Sequence, residues 1–385
     1  MAGLAPPGSA APALALGGLR RAAGLGGPGD LMAEESSAGA SASPPSAFAE
    51  LLPRLGLGVD EVPAILAAER YSRLRQDEAR ARLAGLDLPD SDAGGAAAVF
   101  ALGSLGRLEA SPVSDLDLAF IYDGDRLASA QAEDLRARVI ARLSGADAGD
   151  FDVPQKTFDQ AVNLRTLTRN IGGKNDSNLS LTYRALLLTE GAWLGGAGRA
   201  TKHAIFRAYA DATISRGRFL TSLGNDLHRY YRTLCVDYRH KVEELDKGWG
   251  IRVLKLRHSR KLWHLANLAL QCWAFDSIDD DGDRDVALGA HIGWPSLLRL
   301  AGALEHFGAP ELAREPFACF DRFLAAIAQP QVREALAGLR YEQRERSPVW
   351  RELDDNADRL DAATADVVEL LLRRCRRFFV RFCVL

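Results

Sequence analysis

Two carboxylates, Asp115 and Asp117, stand two residues apart at the start of a short apolar run, Leu116 to Tyr122. The composition of this run predicts a β-strand. Because side chains alternate along a strand, both carboxylates fall on one face of the predicted sheet. Carboxylate oxygens at that spacing can share a divalent cation such as Mg2+. The pattern therefore predicts a metal site.

A second apolar run, residues 96–102, predicts another strand and is followed directly by Gly103 and Ser104. A residue without a Cβ lets backbone N–H groups approach a phosphate closely, and a hydroxyl adds a donor. A phosphate cradle facing two metal-binding carboxylates suits phosphoryl or nucleotidyl transfer, because Mg2+ binds both kinds of oxygen.

The whole segment from Ala101 to Asp123 reads ALGSLGRLEASPVSDLDLAFIYD. Its pattern, G-S-x-G-R-x-E and then S-D-x-D, resembles the polymerase-beta-type nucleotidyltransferase superfamily. It is most similar to the branch of glutamine-synthetase adenylyltransferases, PII uridylyltransferases and their uncharacterised relatives. Gly103, Ser104, Asp115 and Asp117 match the superfamily signature position for position.

This resemblance implies a Mg2+- or Mn2+-dependent enzyme that transfers a nucleoside monophosphate from an NTP, with ATP or UTP favoured, and releases pyrophosphate. A hydroxyl on a protein is the favoured acceptor. It also implies a third carboxylate, from a later strand, that completes the metal site and acts as general base. Asp152 is the best placed, with Asp150 and Asp159 as alternatives. A different class of function also fits, namely a non-catalytic nucleotide sensor that keeps the fold without the third carboxylate.

Arg107 and Glu109, within the same motif, have two interpretations. Arg107 either contacts phosphate directly, as a nucleotide-binding residue, or forms an ion pair with Glu109 that braces the loop.

A basic stretch lies further along the chain. Helical spacing places Arg257, Lys261 and His264 on one face, with Lys255 and Arg260 nearby. Like charges on one face repel unless they meet anions, so Lys255 and Lys261 are predicted to bind the triphosphate or an acidic acceptor. The alternative is a solvated face that pairs with the three carboxylates between residues 243 and 246.

The surrounding pattern predicts an α+β protein with a small mixed sheet followed by an all-helical domain. Residues 1–45, rich in Ala, Gly, Pro and Ser, are predicted to be a disordered tail. Residues 46–179 form the predicted nucleotidyltransferase domain, with N-terminal helices and a third strand at Phe151–Val153. Residues 180–385 form the predicted substrate-binding domain, where helical periodicity dominates and strand signals fade.

Three further segments have less specific patterns. Residues 170–184, rich in Gly and Asn, form either a loop at the rim of the cleft or a connector between domains. Residues 276–285 contain many aspartates but lack the ligand order of a calcium loop, which favours a solvated loop. The basic, amphipathic residues 370–385 favour a terminal helix packed on the domain over a membrane-surface anchor.

The composition of the chain excludes several classes of protein. The chain has 385 residues and a formal net charge of -3, which excludes an overall basic field for nucleic acid but leaves a local basic surface open. Five widely spaced cysteines predict reduced thiols. No apolar run approaches the roughly 20 residues that cross a bilayer, so a cytoplasmic protein without a membrane partner is predicted.

Overall fold

The fold was obtained as a computed structural model of the chain. It describes residues 46–86, 88, 96–144, 150–154, 158–169, 171–211, 219–243, 248–277 and 288–384. The predicted disordered tail, residues 1–45, and most of the aspartate-rich segment 276–285 lie outside the described residues.

A small mixed sheet holds the two predicted strands. The described strands are β1 (Ala97–Leu102), β2 (Asp117–Tyr122), β3 (Val162–Asn163) and β4 (Ala192–Gly196). Their order in the sheet is β3-β2-β1-β4. Strand β1 pairs antiparallel with β2 and with β4, and β2 pairs parallel with β3. The α+β class and the first two strands are confirmed.

The third predicted strand is wrong. Residues Phe151–Val153 form no ladder, and a single hydrogen bond, from the Leu116 N–H to the Asp152 carbonyl (2.8 Å), ties them to the start of β2. Strand β4 was not predicted, because Gly195 and Gly196 read as an interruption between helices. This segment is a strand because it pairs with β1, which is distant in sequence, and the β-propensity of its own residues does not predict such pairing.

Helices make up most of the described chain. They are α1 (Ala47–Leu51), α2 (Pro63–Leu83), α3 (Gly103–Gly106), α4 (Ser129–Leu143), α5 (Leu164–Thr168), α6 (Asn178–Glu190), α7 (Gly198–Asp211), α8 (Phe219–Glu243), α9 (Trp249–Lys255), α10 (Lys261–Asp276), α11 (Ser296–His306), α12 (Arg314–Ile327), α13 (Pro330–Ala337), α14 (Pro348–Arg374) and α15 (Arg376–Phe378). A π-helical turn, Leu256–Arg260, joins α9 to α10, and a second, Phe379–Val384, follows α15.

The sheet lies between two layers of helices. Side chains on one face of β1 and β2, including Phe100 and Ile121, enter a large core that extends through the C-terminal helices. Those on the other face, including Val99 and Phe120, pack in a smaller core against α4 and the end of α2. Hence one face of the sheet looks toward the helical half of the molecule, and that face carries Asp117.

The N-terminal helices are attached to the C-terminal ones. Asp321 of α12 accepts hydrogen bonds from the backbone N–H groups of Ala64 (2.7 Å) and Ile65 (2.9 Å), which caps the start of α2. Arg54 pairs with Glu305 at 2.6 Å. The large core therefore continues from the first helices to the last. None of the helices in the described ranges is long and apolar enough to cross a membrane.

Candidate nucleotide site

Asp115 and Asp117 lie together at the start of β2. Asp117 is the first residue of the strand, opposite Leu102, and shares the face of Ala119 and Ile121. Asp115 precedes the strand and is exposed. Burial, and then the neighbouring Asp115 carboxylate, raise the pKa of Asp117 to about 6. The two carboxylates are thus crowded in the way that a bound cation would relieve.

Gly103 makes room for this pair. Its φ of +67° is left-handed, and a Cβ there would lie 2.3 Å from Asp117 Oδ2. Its N–H donates to Glu190 Oε1 at 2.9 Å, so a phosphate would have to displace that bond. The hydroxyl of Ser104 bonds to none of the described residues. Of the two predicted phosphate donors, the Ser104 hydroxyl is therefore the one that could donate without first breaking a bond to a described residue.

Arg107 is buried in an ion-pair network. Its Nε donates to Glu109 Oε2 (2.9 Å) and its Nη1 to Glu190 Oε2 (2.7 Å). Burial lowers the pKa of Arg107, but the two carboxylates outweigh burial and raise it overall. Leu108, between the paired residues, has a left-handed φ of +62°. The bracing alternative is the one the structure shows, and a phosphate contact would require Arg107 to leave both carboxylates.

Glu190, the last residue of α6, is the centre of this network and was missed by sequence reasoning. Its side chain is fully buried, and Oε2 also lies 3.4 Å from Nη1 of Arg260. Gly106 lies against the backbone of Glu190, since a Cβ there would lie 2.1 Å from the Glu190 carbonyl oxygen. The one sequence signal is a carboxylate at the end of a leucine run, and such a buried charge needs a cationic partner.

Lys255 and Arg260 face the carboxylates from the helical half. They lie five residues apart across the π-helical turn, and i to i+5 bonding stacks residues at that spacing on one side. Burial, then Arg333, lowers the pKa of Lys255 to about 8, while Asp115 acts in the opposite direction. Arg260 in turn lowers the pKa of Asp117. Neighbouring atoms crowd the Lys255 side chain, which is the burial that lowers its pKa, yet part of its surface still contacts solvent.

Lys261 and Arg257 are directed elsewhere. Lys261 pairs with Asp361 of α14, and Arg257 pairs with Asp354 and Asp358 of the same helix. Arg257 and Lys261 do share one face, as predicted, because both also reach Asp361, but this face packs against the carboxylates of α14 instead of meeting a ligand. The pairing carboxylates that the structure describes lie on α14, and the carboxylates of the alternative, between residues 243 and 246, lie outside the described side chains. We therefore do not retain Lys261 as a nucleotide-binding residue.

His264, the third member of the predicted face, is half-buried. Its ring stacks on Tyr231 with ring centroids 4.3 Å apart, and burial lowers its pKa to about 3. This histidine is therefore part of the helical core.

Asp152 lies beside the pair through its backbone. Its carbonyl accepts the Leu116 N–H, between Asp115 and Asp117, and its side chain is exposed. Of the alternatives, Asp150 pairs with Arg82 at 2.6 Å, and Asp159 lies near Tyr183 of α6. Within the described ranges, no three His, Cys, Asp or Glu side chains are close enough to hold a metal. Asp152 is thus bonded next to the pair through its backbone alone, and the third carboxylate whose charge acts on Asp117 is that of Glu190.

The Gly/Asn-rich loop lies away from this site. Asp176 accepts hydrogen bonds from both Nη atoms of Arg184, at 2.8 Å each, which fixes the loop to the middle of α6. Glu190 ends the same helix, roughly 18 Å along its axis from the start of the helix. The position favours the connector interpretation over a loop at the rim of the site.

Comparison with known proteins gives no family. No protein-family model matches the chain, and no curated protein matches it either. The resemblance of residues 96–124 to nucleotidyltransferases therefore depends on the motif alone.

Proposed function

We propose that this protein is a nucleotidyltransferase that transfers a nucleoside monophosphate from an NTP to a hydroxyl acceptor. The carrying observation is the crowded pair Asp115 and Asp117, which faces Lys255 and Arg260 from the helical half. Carboxylates opposite cations provide one side for a metal and the other for a triphosphate. The motif from Gly103 to Asp117 supports the same assignment.

The donor set fits a hard divalent cation. Asp115 and Asp117 supply only carboxylate oxygens, which Mg2+ and Mn2+ prefer, and the raised pKa of Asp117 supports a pair that a cation would stabilise; Asp152 would join them only by reorienting its exposed side chain. Such a cation, when bound, would neutralise charge on the phosphate oxygens during transfer.

The chain's own groups would orient the reactants. Lys255 and Arg260 bind the β- and γ-phosphate oxygens, and Ser104 donates a further hydrogen bond. Asp152 accepts the proton of the acceptor hydroxyl, whose oxygen bonds to the α-phosphorus. The bond between the α-phosphorus and its bridging oxygen breaks, and pyrophosphate leaves with that electron pair. The protein acceptor is favoured only by the resemblance.

Pyrophosphate release tests this proposal. Purified protein is incubated with each NTP and Mg2+, alone and with host lysate, beside Asp117→Ala and the matched surface variant Asp134→Ala. Turnover by the wild type and by Asp134→Ala, but not by folded Asp117→Ala, would support the proposal. Equal turnover in all three proteins would refute it.

A nucleotide sensor is the second candidate, and the exposed side chain of Asp152 favours it. A site with two gathered carboxylates can bind an NTP with its cation while lacking an organised general base. Mg2+-dependent NTP binding without pyrophosphate release, under every acceptor condition, would identify this function.

A further inference from the structure

The C-terminal end of the chain carries an unusual concentration of positive charge. Five arginines within nine residues are exposed, and none forms an ion pair with a residue that the structure describes. We call them the arginine patch: Arg373, Arg374, Arg376, Arg377 and Arg381. They lie on a chain of net charge -3, so the patch is a local feature and not part of a general basic field.

A groove runs through the patch. It is lined by Arg376, Arg377 and Arg381 together with Phe275 and Val380. Val380 is 48% exposed, and the Phe275 ring is half-buried. The groove therefore combines apolar and aromatic side chains with three guanidinium groups that form no ion pair with a described residue, of which Arg381 lies over the Phe382 ring.

This combination matches one class of ligand best. Single-stranded nucleic acid places phosphates on cationic groups and bases on flat apolar surfaces, and guanidinium groups serve both purposes. An anionic membrane fits less well, because the apolar face of this terminal segment, Leu371, Cys375 and Phe378, is already buried in the core. Among the described residues of this segment, the large apolar side chains that are exposed are Leu372 and Val380, while Phe379 and Phe382 pack partly against the core.

We propose that the arginine patch and its groove bind single-stranded nucleic acid. The surface is separate from the candidate nucleotide site: Phe275 lies about 22 Å from Arg260 along α10 and the turn before it. The inference therefore does not depend on nucleotidyltransferase activity. The arginine patch is a local basic surface of the kind that a net charge of -3 still allows.

Fluorescence anisotropy with a labelled single-stranded RNA of about 16 nucleotides tests this proposal. The full chain is titrated at KCl concentrations from about 50 to about 200 mM. The variant Arg376→Ala/Arg377→Ala removes two patch charges, and Arg70→Ala/Arg142→Ala removes two exposed charges from α2 and α4. Circular dichroism confirms that each variant is folded.

The wild type should bind with strongly salt-dependent affinity. The patch variant should bind about tenfold more weakly, with a salt slope shallower by about 1.4, while the α2/α4 variant stays within about twofold. Absence of binding, or an equal loss in the α2/α4 variant, would overturn the proposal. Tighter, patch-dependent binding of phosphatidylserine vesicles or polyglutamate would overturn it in favour of a membrane or an acidic protein.

Discussion

Asp117 is the residue whose environment is most informative. Its raised pKa means that the folded chain binds a proton there more tightly than the unfolded chain, whose carboxyl titrates near the ordinary 3.8. The ionised form therefore destabilises the fold above about pH 6, and this penalty disappears as the pH falls toward 3.8. A divalent cation bound to the pair would remove the same penalty at neutral pH.

Asp117→Asn should thus stabilise the protein. At pH 7.5 with a chelator present, we expect its free energy of unfolding to exceed that of the wild type by roughly 2 kcal/mol. The reason is that the substitution removes a buried negative charge next to the negative charge of Asp115. Urea unfolding measures this difference. Added Mg2+ should raise the unfolding midpoint of the wild type and leave that of Asp117→Asn unchanged. An Asp117→Asn protein that is less stable than the wild type in chelator would contradict this account.

Two lysines on neighbouring turns provide a matched comparison. Lys255 lies near Asp115, whereas Lys261 pairs with Asp361 on α14. Lys255→Met should raise the KM or Kd for NTP by about tenfold, the size expected for one lost phosphate contact. Lys261→Met should change it less than about twofold, since exposed pairs contribute little. Equal effects in direct NTP-binding titrations would show that the lysines share one role.

Some residues of the candidate site could be predicted and others could not. Asp115, Asp117 and Gly103 are neighbours in a short motif, so spacing alone brings them together. Glu190 lies 83 residues from Arg107, with which it pairs. A contact at that separation depends on the tertiary fold, and no local pattern records it.

At the scale of elements, the buried network around Glu190 joins α6, the motif loop and the π-helical turn. Glu190→Gln would leave Arg107 and Arg260 with less compensating charge in a buried setting, and should lower the free energy of unfolding by about 3 kcal/mol. Glu305→Gln is the control, because its pair with Arg54 is partly exposed (17% and 30%) and should cost less than about 1 kcal/mol. Similar losses of unfolding free energy in the two variants, measured by urea unfolding, would mean that the buried network stabilises the fold no more than the partly exposed pair does.

His258, buried on the π-helical turn, and His264, half-buried on α10, make the free energy of unfolding sensitive to acid. The Nδ1–H of His258 donates to the Leu254 carbonyl (2.8 Å), and its Nε2 accepts from Asn356 (3.0 Å), so the neutral ring is the bound form. Burial lowers the pKa of His258 to about 4 and that of His264 to about 3. Unfolded histidines titrate near 6.5, so stability from the neutral rings is complete above that pH and is lost as the pH falls toward 4.

These two histidines give an expected slope of roughly 2 kcal/mol per pH unit between pH 6 and 5, and His228, whose pKa burial also lowers, adds to the slope in the same direction. Asp117 contributes one proton of opposite sign, so the measurement belongs in the Asp117→Asn background. His264→Phe keeps the stacked ring, removes one proton and should lower the slope by about 1 kcal/mol per pH unit in urea titrations. An unchanged slope in that variant would exclude His264 as a source of the acid sensitivity.

The π-helical turn also shows where sequence reasoning at this scale stops. Helical periodicity correctly identifies a helical segment, but the turn adds a residue and rotates everything beyond it. Lys255 and Arg260 consequently face the carboxylates, and Lys261 faces α14. Nothing in the composition of Leu256–Arg260 distinguishes it from an ordinary helical turn.

At the scale of the molecule, the sequence predicts a small mixed sheet, which is present, and an all-helical domain from residue 180, which is wrong because β4 (Ala192–Gly196) lies within that range and pairs with β1. It does not predict that one face of the sheet and the C-terminal helices share a core, with Phe100 and Trp263 among its buried members. That shared core determines which cations meet the carboxylates. Such packing depends on side chains far apart in sequence, whereas the individual elements depend on near neighbours.

The transfer of the α-phosphate of an NTP is the most direct test of the central claim. An NTP labelled at the α-phosphate is incubated with Mg2+, host lysate and either the wild type or the folded double variant Asp115→Ala/Asp117→Ala. We expect the wild type to transfer the label covalently to an acceptor, with stoichiometric release of pyrophosphate, and the double variant to transfer none. NTP binding with no transfer in either protein, across all four NTPs, would contradict nucleotidyltransferase activity and favour the nucleotide-sensor function instead.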